Sequence, residues 1–568
     1  MVIESRWTVP IPNCSLQKWV FESSFGPLPE TPQFIDPDRP ETHVITKSGY
    51  RLWSKRFALG LIRAGLKPGD RVLLYSGNNI FFPAVFMGVL MAGGIFSGAN
   101  PSFVARELAY QLKDSGATFL IASDASMEIA VDAAAQAGLP TSRIFSFDAT
   151  ALDARPGTAR LGSRHWTSLL ASEDEGAKFD WIEPADASTT LCALNYSSGT
   201  TGVPKGVEIT HYAYVANGIG VNYIDRLNPE FDEKKKRARR IGFLPMYHAY
   251  GQTYFICNYP RENFPVYIMP AFNFEKMLQV IEKFRIDFII AVPPIIVLLA
   301  KSPLSRKYDL SSLETIGCGA APLGAEVSDE VEKLWPPGAV AVRQGWGMTE
   351  ATCGVTSTDP TRVGKPADVG EMSPNCKMRL MKIDGSGEIT SANEPGELWV
   401  AGPMLLKAYW KKPEATAATV HVDPDGTRWL KTGDIGYVEE YGPGGLIHVI
   451  DRIKELIKVK GNQVAPAELE GVLLENKGVR DVAVVGVTIN GEEYPRAYVV
   501  PVPEAKQTEQ EIAKWMEPRV VYYKRLRGGV KFVEAIPKNP SGKLLRKVLR
   551  DQAAKEVGDR KPALARLA

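Results

Sequence analysis

The chain has 568 residues, is 45% apolar and 23% charged, and carries a net charge of only +2. That balance fits a globular protein of several domains and excludes a dedicated nucleic-acid binder, which would carry a large basic excess. The six cysteines, at 14, 192, 257, 318, 353 and 376, form no C-x-x-C pair, which argues against a disulfide framework or a zinc site.

Residues 1–50 contain prolines at 10, 12, 27, 29, 32, 37 and 40 and read as irregular. Nothing in residues 1–12 resembles a signal peptide. A helical pattern from Tyr50 (Leu52, Phe57, Leu59, Ile62) leads through the turn Lys67-Pro68-Gly69-Asp70 to a strand at 71–75. Residues 81–99 are uncharged over a bilayer-spanning length, but Pro83, Gly88, Gly93, Gly94 and Gly98 interrupt them. They read as a buried helix running into a strand, so no membrane span is expected. A helix at 105–115 and a strand at 118–122 follow. This alternation predicts a layered α/β domain with a mostly parallel sheet.

A short buried strand at 189–195 runs into Tyr-Ser-Ser-Gly-Thr-Thr-Gly-Val-Pro-Lys-Gly at 196–206. Glycines let backbone N–H groups turn toward one point, hydroxyls add donors, and Lys205 adds charge, a combination that suits a nucleotide's phosphate tail. It is not a Walker A loop, because Gly206 follows Lys205, and a plain surface loop could share its composition. The basic run 234–240 reads as a solvated loop or helix face. Strands at 241–245, 266–269, 287–292 and 314–317, with helices at 274–284 and 295–300, resume the alternation. Two such sheets around one loop make a crevice at the strand ends. From about 378, short β segments (378–380, 396–400, 429–432, 446–450) predict a small barrel-like subdomain. Beyond Asp451-Arg452, helices at 466–474 and 509–516 and strands at 481–487 and 497–502 predict a separate domain of about 110 residues.

Six stretches carry the chemistry: 196–206; Pro-Met-Tyr-His-Ala-Tyr-Gly at 245–251; Gln-Gly-Trp-Gly-Met-Thr-Glu at 344–350; Lys-Thr-Gly-Asp at 431–434; Asp-Arg-Ile-Lys-Glu-Leu-Ile-Lys-Val-Lys-Gly at 451–461; and Pro-Lys-Asn-Pro-Ser-Gly-Lys at 537–543. In identity, order and spacing they resemble the adenylate-forming superfamily of acyl-CoA synthetases, nonribosomal adenylation domains and beetle luciferases. The chain looks most like a 4-coumarate–CoA ligase-type enzyme, from roughly residue 45 to 550.

The resemblance implies an α/β fold: an AMP-binding domain over 1–450 (barrel-like part about 378–450), a hinge at 451–454 centred on Lys454, and a mobile α+β domain over 455–568. It implies two half-reactions, adenylation of a carboxylate by ATP and transfer of the acyl group to CoA. Ser197, Ser198, Gly199, Thr200, Thr201, Gly202 and Lys205 would hold the β- and γ-phosphates. Thr349 would contact the α-phosphate, and Glu350 would hold Mg²⁺, a carboxylate beside phosphate oxygens suiting a hard cation. Gln344, Gly345 and Trp346 would line the adenine, Asp434 would accept from the ribose hydroxyls, and Arg452 would be a second contact. His248 would lie near the acyl carboxylate. Tyr250, Gly317, Gly319, Ala320 and Ala321 would line the acyl pocket. Lys543 would bridge the carboxylate and the α-phosphate. Lys458 and Gln463 (AMP) and Lys460 and Gly461 (CoA) would serve a second domain orientation.

The chain departs from plant ligases at Ala271, where a CoA-contacting Lys is common, and at Gly-Glu-Leu-Trp-Val (396–400) in place of a Gly-Glu-Ile-Cys-type run. The expected partners are therefore a small carboxylic acid, ATP, Mg²⁺ and CoA, with the aryl-propenoic acids as substrate class and medium-chain fatty acids or benzoates as rivals. A carrier-loading adenylation enzyme and a nucleotide-binding pseudoenzyme are the other readings. The protein is expected to be cytoplasmic and a monomer or homodimer; the peroxisomal-type Ala-Arg-Leu at 565–567 stands one residue short of the end.

Overall fold

A computed structural model describes residues 2–153, 157–197, 203–362, 367–460, 462–489, 491–503, 505–539 and 542–557. Two seven-stranded α/β sheets form its centre. The first runs in the order Lys205–Thr210, Leu191–Ser197, Ile95–Ala99, Arg71–Tyr75, Ala117–Ser123, Ile144–Phe147, Arg164–His165. It is parallel except where Lys205–Thr210 doubles back against Leu191–Ser197. The second runs Ala341–Gln344, Thr315–Cys318, Phe288–Ala291, Arg240–Gly242, Val266–Ile268, Pro32–Ile35, Val44–Thr46, and only its last pair is antiparallel.

The uncharged stretch is the helix Phe82–Met91, every residue of it buried, running into the central strand Ile95–Ala99. It crosses the helix Lys47–Arg63 at Gly88, where an added methyl would lie 2.8 Å from the Ser54 carbonyl oxygen. Only glycine permits that approach. Among the described residues no helix is long and apolar enough to cross a membrane.

Residues 1–50 are not irregular, as their prolines suggested. Pro32–Ile35 and Val44–Thr46 finish the second sheet, Leu16–Phe21 is a helix capped by Ser15, and Ile3–Glu4 pairs with Lys377–Met381. These strands form because sheets built from distant chain accept them, so no local periodicity announces them.

Residues 234–237 of the basic run lie in the helix Phe231–Arg237, and their charges are matched: Lys234 to Glu230 and Glu314, Lys235 to Glu262, Lys236 to Glu233, Arg237 to Glu314. Arg240 departs from the expected solvated face. It lies among the rings of Tyr259, Phe264 and Phe288 and pairs with Asp287 at 2.5 Å.

The third seven-stranded sheet is antiparallel and holds Lys377–Met381, Gly396–Ala401, Arg428–Val438 and Ile447–Arg452. Beyond it, Val479–Ile489, Glu492–Pro501 and Val530–Phe532 form a three-stranded sheet. The two apolar clusters packed on that sheet contain no residue before Ile457.

Candidate active site

The strands Leu191–Ser197 and Lys205–Thr210 bring the two ends of the Gly/Ser/Thr loop together, with Ser197 paired to Lys205. Ser198, Gly199, Thr200, Thr201 and Gly202 lie outside the described residues. At the loop's base, Ser197 Oγ donates to Glu350 Oε1 at 2.9 Å, and Tyr409 Oη donates to the same oxygen at 2.9 Å. Lys205 Nζ sits 4.9 Å from the centroid of the Tyr409 ring. Tyr409 arrives because residues 408–410 zip along the edge strand: Glu208 N–H donates to Ala408 O and Trp410 N–H to Gly206 O. The sequence reading missed Tyr409, whose place is set by that edge and by no motif.

A second group forms where the third sheet meets this crevice. Trp346 Nε1 donates to Asp434 Oδ2 at 2.8 Å, and Arg452 Nε lies 3.1 Å from Asp434 Oδ1. The antiparallel pairing of Asp434 with Arg452 sets this contact. Each Asp434 oxygen keeps a second lone pair free to accept from a further donor. Trp346 is buried and Thr349 opens a short helical turn beside it.

Lys543 reaches this group from the far domain. Its loop is closed by Lys543 N–H donating to Asn539 Oδ1 at 2.8 Å and by Asn539 N–H donating to Lys543 O at 2.9 Å. Gly542 has φ +79°, and an added methyl there would lie 2.6 Å from Val292 Cγ2, so glycine both makes the turn and lets the loop dock. Burial, reinforced by Arg452, brings the Lys543 ammonium down to about 8 against the pull of Asp434, Glu350 and Glu455. His248 is an electrostatic neighbour: burial, then the Lys543 charge, brings it down to about 4. His248 Nδ1 accepts from Tyr250 N–H at 3.3 Å, which leaves the proton of the neutral ring on Nε2.

From this group a cavity of about 280 Å³ runs past His248, Tyr250, Gly317, Gly319 and Ala320. Ala320 is in the left-handed region, φ +74°. A methyl on Gly319 would already meet the Tyr250 ring at 3.3 Å. Gly319→Val should therefore narrow the cavity and lower kcat/KM for a substrate that fills it by about 1–3 kcal/mol, roughly 5- to 150-fold. Steady-state kinetics with substrates of graded width check this; an unchanged ratio of wide to narrow substrates would show that the substrate lies elsewhere.

Gln344 and Ala321 are placed otherwise than expected. The Gln344 side chain clamps the neighbouring loop, accepting from Leu323 N–H and donating to Leu323 O, each at 3.0 Å. Ala321 is not on the cavity wall. Lys458, Lys460 and Gln463 sit exposed on the hairpin Ile457–Val459/Asn462–Val464, and Lys454 is exposed before it. The structure thus brings Lys543 to the crevice and leaves the hairpin outside. Gly461 lies outside the described residues. The helix after His248 becomes a π-helix over Gln252–Asn258, which no sequence pattern announced and which carries Tyr254 onto the cavity wall.

Residues 22–410 match the family model for an AMP-binding enzyme, and residues 468–543 match that for the AMP-binding enzyme C-terminal domain. The chain belongs to the AMP-binding enzyme family. It is 36% identical over 558 residues to phenylacetyl-CoA ligase epaB of Aspergillus niger, covering 97% of this chain and 99% of that protein. It is 35% identical over 516 residues to 4-coumarate–CoA ligase 1 of Petroselinum crispum, covering 90% and 89%. Its fold is that of the anthranilate CoA ligase AuaEII solved with anthranoyl-AMP (20% identity, TM-score 0.81, covering 97% and 99%). ATP-bound MatB from Rhodopseudomonas palustris has the same fold (24% identity, TM-score 0.80, covering 95% and 99%). The expected α/β architecture with a small C-terminal domain agrees with both.

Proposed function

We propose that this AMP-binding enzyme is an acid–CoA ligase that converts an aromatic or aryl-propenoic carboxylic acid to its acyl-adenylate and then to its CoA thioester. The observation that carries the reading is that the Lys543 charge is felt at His248, which lines the cavity, and is itself acted on by Asp434 and Glu350. The cavity walls are rich in rings, Tyr250, Tyr254, Tyr259 and Phe288 among them, which suits a flat acid. Relatives named as phenylacetyl- and 4-coumarate–CoA ligases support the same class.

In the first half-reaction a carboxylate oxygen attacks the α-phosphorus and pyrophosphate leaves. Three negative groups converge, so the barrier is electrostatic, and charges fixed in advance lower it. Lys543 supplies a cation where the two reactants meet. His248, neutral across the physiological range, offers Nε2–H to the carboxylate without fixing it as a salt. Asp434 and Trp346 hold the nucleoside end. In the second half-reaction the thiol attacks the acyl carbon and AMP leaves. The domain division at 451–454 would let the hairpin 457–464 replace Lys543 at that stage.

Glu350 accepts from Ser197, and no cluster of three His, Cys, Asp or Glu side chains suited to a metal occurs among the described residues. A lone carboxylate fits a Mg²⁺ held chiefly by nucleotide phosphates and water. Such an ion would neutralise phosphate charge.

Mass spectrometry of products after incubation with ATP, Mg²⁺, CoA and a panel of cinnamates, benzoates, phenylacetates and fatty acids tests the proposal. An aryl-CoA thioester is the expected result. AMP esters without thioesters would shift the function to carrier loading, and bound ATP without pyrophosphate release would make the protein a sensor.

The pH dependence follows from Lys543. Its cationic form is the active one and is lost as pH rises through about 8. Hence kcat/KM for pyrophosphate release should fall above that pH, and ATP bound beside the ammonium should move the kcat limb higher. Lys543→Arg should remove the limb; an unchanged limb would assign it to another group.

A further inference from the structure

The helix Pro293–Lys301 belongs to the large domain, and the small C-terminal domain rests on both of its ends. At its start, Val292 and Pro294 receive the Lys543 loop: a methyl on Gly542 would lie 2.6 Å from Val292 Cγ2 and 3.8 Å from Pro294 Cγ. At its end, Lys301 Nζ donates to Leu474 O at 2.7 Å and to Val479 O at 3.0 Å. Leu474 also packs its side chain against the apolar cores of both domains. The domains approach again at Gly324, where an added methyl would lie 3.8 Å from Gly471 Cα.

Leu474 is the last residue of the helix Pro466–Leu474, and Val479 opens the strand Val479–Ile489, so Lys301 holds both sides of the turn between them. The last carbonyls of a helix lack partners within it and form the negative end of its dipole, where a lysine binds well. Lys301 is only half-buried, so water can replace it on the carbonyls when the domains part. Charge-assisted hydrogen bonds at such a boundary bias an orientation and still break in every cycle. What Lys301 holds leads to Lys543. Glu470 stands one turn before Leu474 on the same helix and grips Arg546, three residues beyond Lys543. The contacts therefore run from Lys301 through this helix and the Glu470–Arg546 pair to the loop that carries Lys543. In the same arrangement the hairpin 457–464 stands outside the crevice, and Lys301 itself is not on the cavity wall.

We propose that Lys301 is a positioning residue: its ammonium latches the C-terminal domain in the orientation that brings Lys543 to the crevice, and its release frees the domain for the second half-reaction. This rests on the two-step ligase reading and deepens it by naming a contact that must break between the steps.

The test uses the full-length protein and Lys301→Met, which keeps the aliphatic stem and removes the donors. Pyrophosphate release and thioester formation from supplied acyl-adenylate are measured separately. The ratio of the first rate to the second should fall at least about tenfold, because only the first step needs the latched orientation. Lys301→Arg, which restores a cationic donor, should recover most of the ratio. Energy transfer between one dye on each domain, measured without substrates, should show fewer molecules in the latched orientation for Lys301→Met. Gly324→Phe wedges the domains apart at Gly471 and leaves Lys301 intact. It should shift both readouts the same way, so the test stands even if Lys301→Met folds poorly.

An unchanged ratio with unchanged energy transfer in Lys301→Met would overturn the proposal. So would equal loss of both half-reactions, which would make Lys301 a structural anchor alone. If energy transfer shifts and no acid gives pyrophosphate release, the latch stands and the ligase reading falls. If thioesters form and energy transfer does not shift, the reverse holds.

Discussion

Replacing Lys543 with alanine is expected to slow acyl-adenylate formation by about 10²–10³-fold, some 3–4 kcal/mol of transition-state stabilisation. The same variant should convert a supplied acyl-adenylate and CoA to thioester at nearly the unaltered rate. The asymmetry follows from geometry. Lys543 is held where Asp434, Glu350 and Arg452 all act on its charge, and Gly542 docks its loop against Val292. Lys458, Lys460 and Gln463, by contrast, stand exposed on their hairpin. If one mobile domain presents Lys543 for adenylation and the hairpin for thioester formation, losing the lysine disables only the first. Pyrophosphate release and thioester formation from synthetic acyl-adenylate, measured separately, check this. Equal loss in both would mean that Lys543 serves both steps or holds the domain in place. The magnitude also separates chemistry from position: a lysine that merely tethered the loop would be rescued by methionine, which keeps the length of its aliphatic stem and lacks the charge.

Much of the central fold was legible in the chain because its elements state their own limits. The helix Phe274–Phe284 starts at Asn273, whose side chain accepts from Lys276 N–H, and the helix Ala105–Ser115 ends at Gly116 in the left-handed region. Both were read to the residue, as was the strand Arg71–Tyr75. Capping and turn chemistry are local, so sequence carries them. The first fifty residues were misread because Pro32–Ile35 and Ile3–Glu4 are strands only by virtue of sheets assembled elsewhere. The site divides in the same way. Glu350, Asp434, Trp346, His248 and Lys543 stand in motifs and do converge. Tyr409 lies outside every motif, and only the tertiary structure brings it to the crevice. The side chain of Gln344, though inside a motif, is held by Leu323. A motif names residue types at a spacing; it does not state which way each side chain turns.

Removing Glu470 should have the largest effect on stability, and it should be felt at Lys543. Arg546, three residues beyond that lysine, reaches back to the helix Pro466–Leu474 and grips Glu470 with both terminal nitrogens, one of them at 2.8 Å. Both side chains are 11% exposed. Glu470 Oε1 also accepts from Val484 N–H at 2.7 Å, and Arg546 donates to Val484 O at 2.7 Å, so the pair staples the terminal helix Arg546–Val557 to the sheet. Burial alone would lower the Arg546 guanidinium; the attraction of Glu470 outweighs it and holds the group charged. Glu470→Ala breaks that buried pair and leaves the charge only Glu455, 3.9 Å from its Nε, and breaking a buried pair commonly costs about 3–5 kcal/mol. Hydrogen exchange should show early opening of residues 546–557, with the strands Arg71–Tyr75 and Ile95–Ala99 unaffected. Adenylation should weaken as well, because the Lys543 loop loses its downstream anchor. Exchanging both partners for apolar residues of similar volume, Glu470→Leu with Arg546→Met, separates the causes. Such a swap of a buried pair is often neutral or stabilising. Protection of the helix and adenylation should therefore return together. If protection returned and activity did not, the Arg546 charge itself would be acting on the nucleotide, an effect distinct from its role as an anchor.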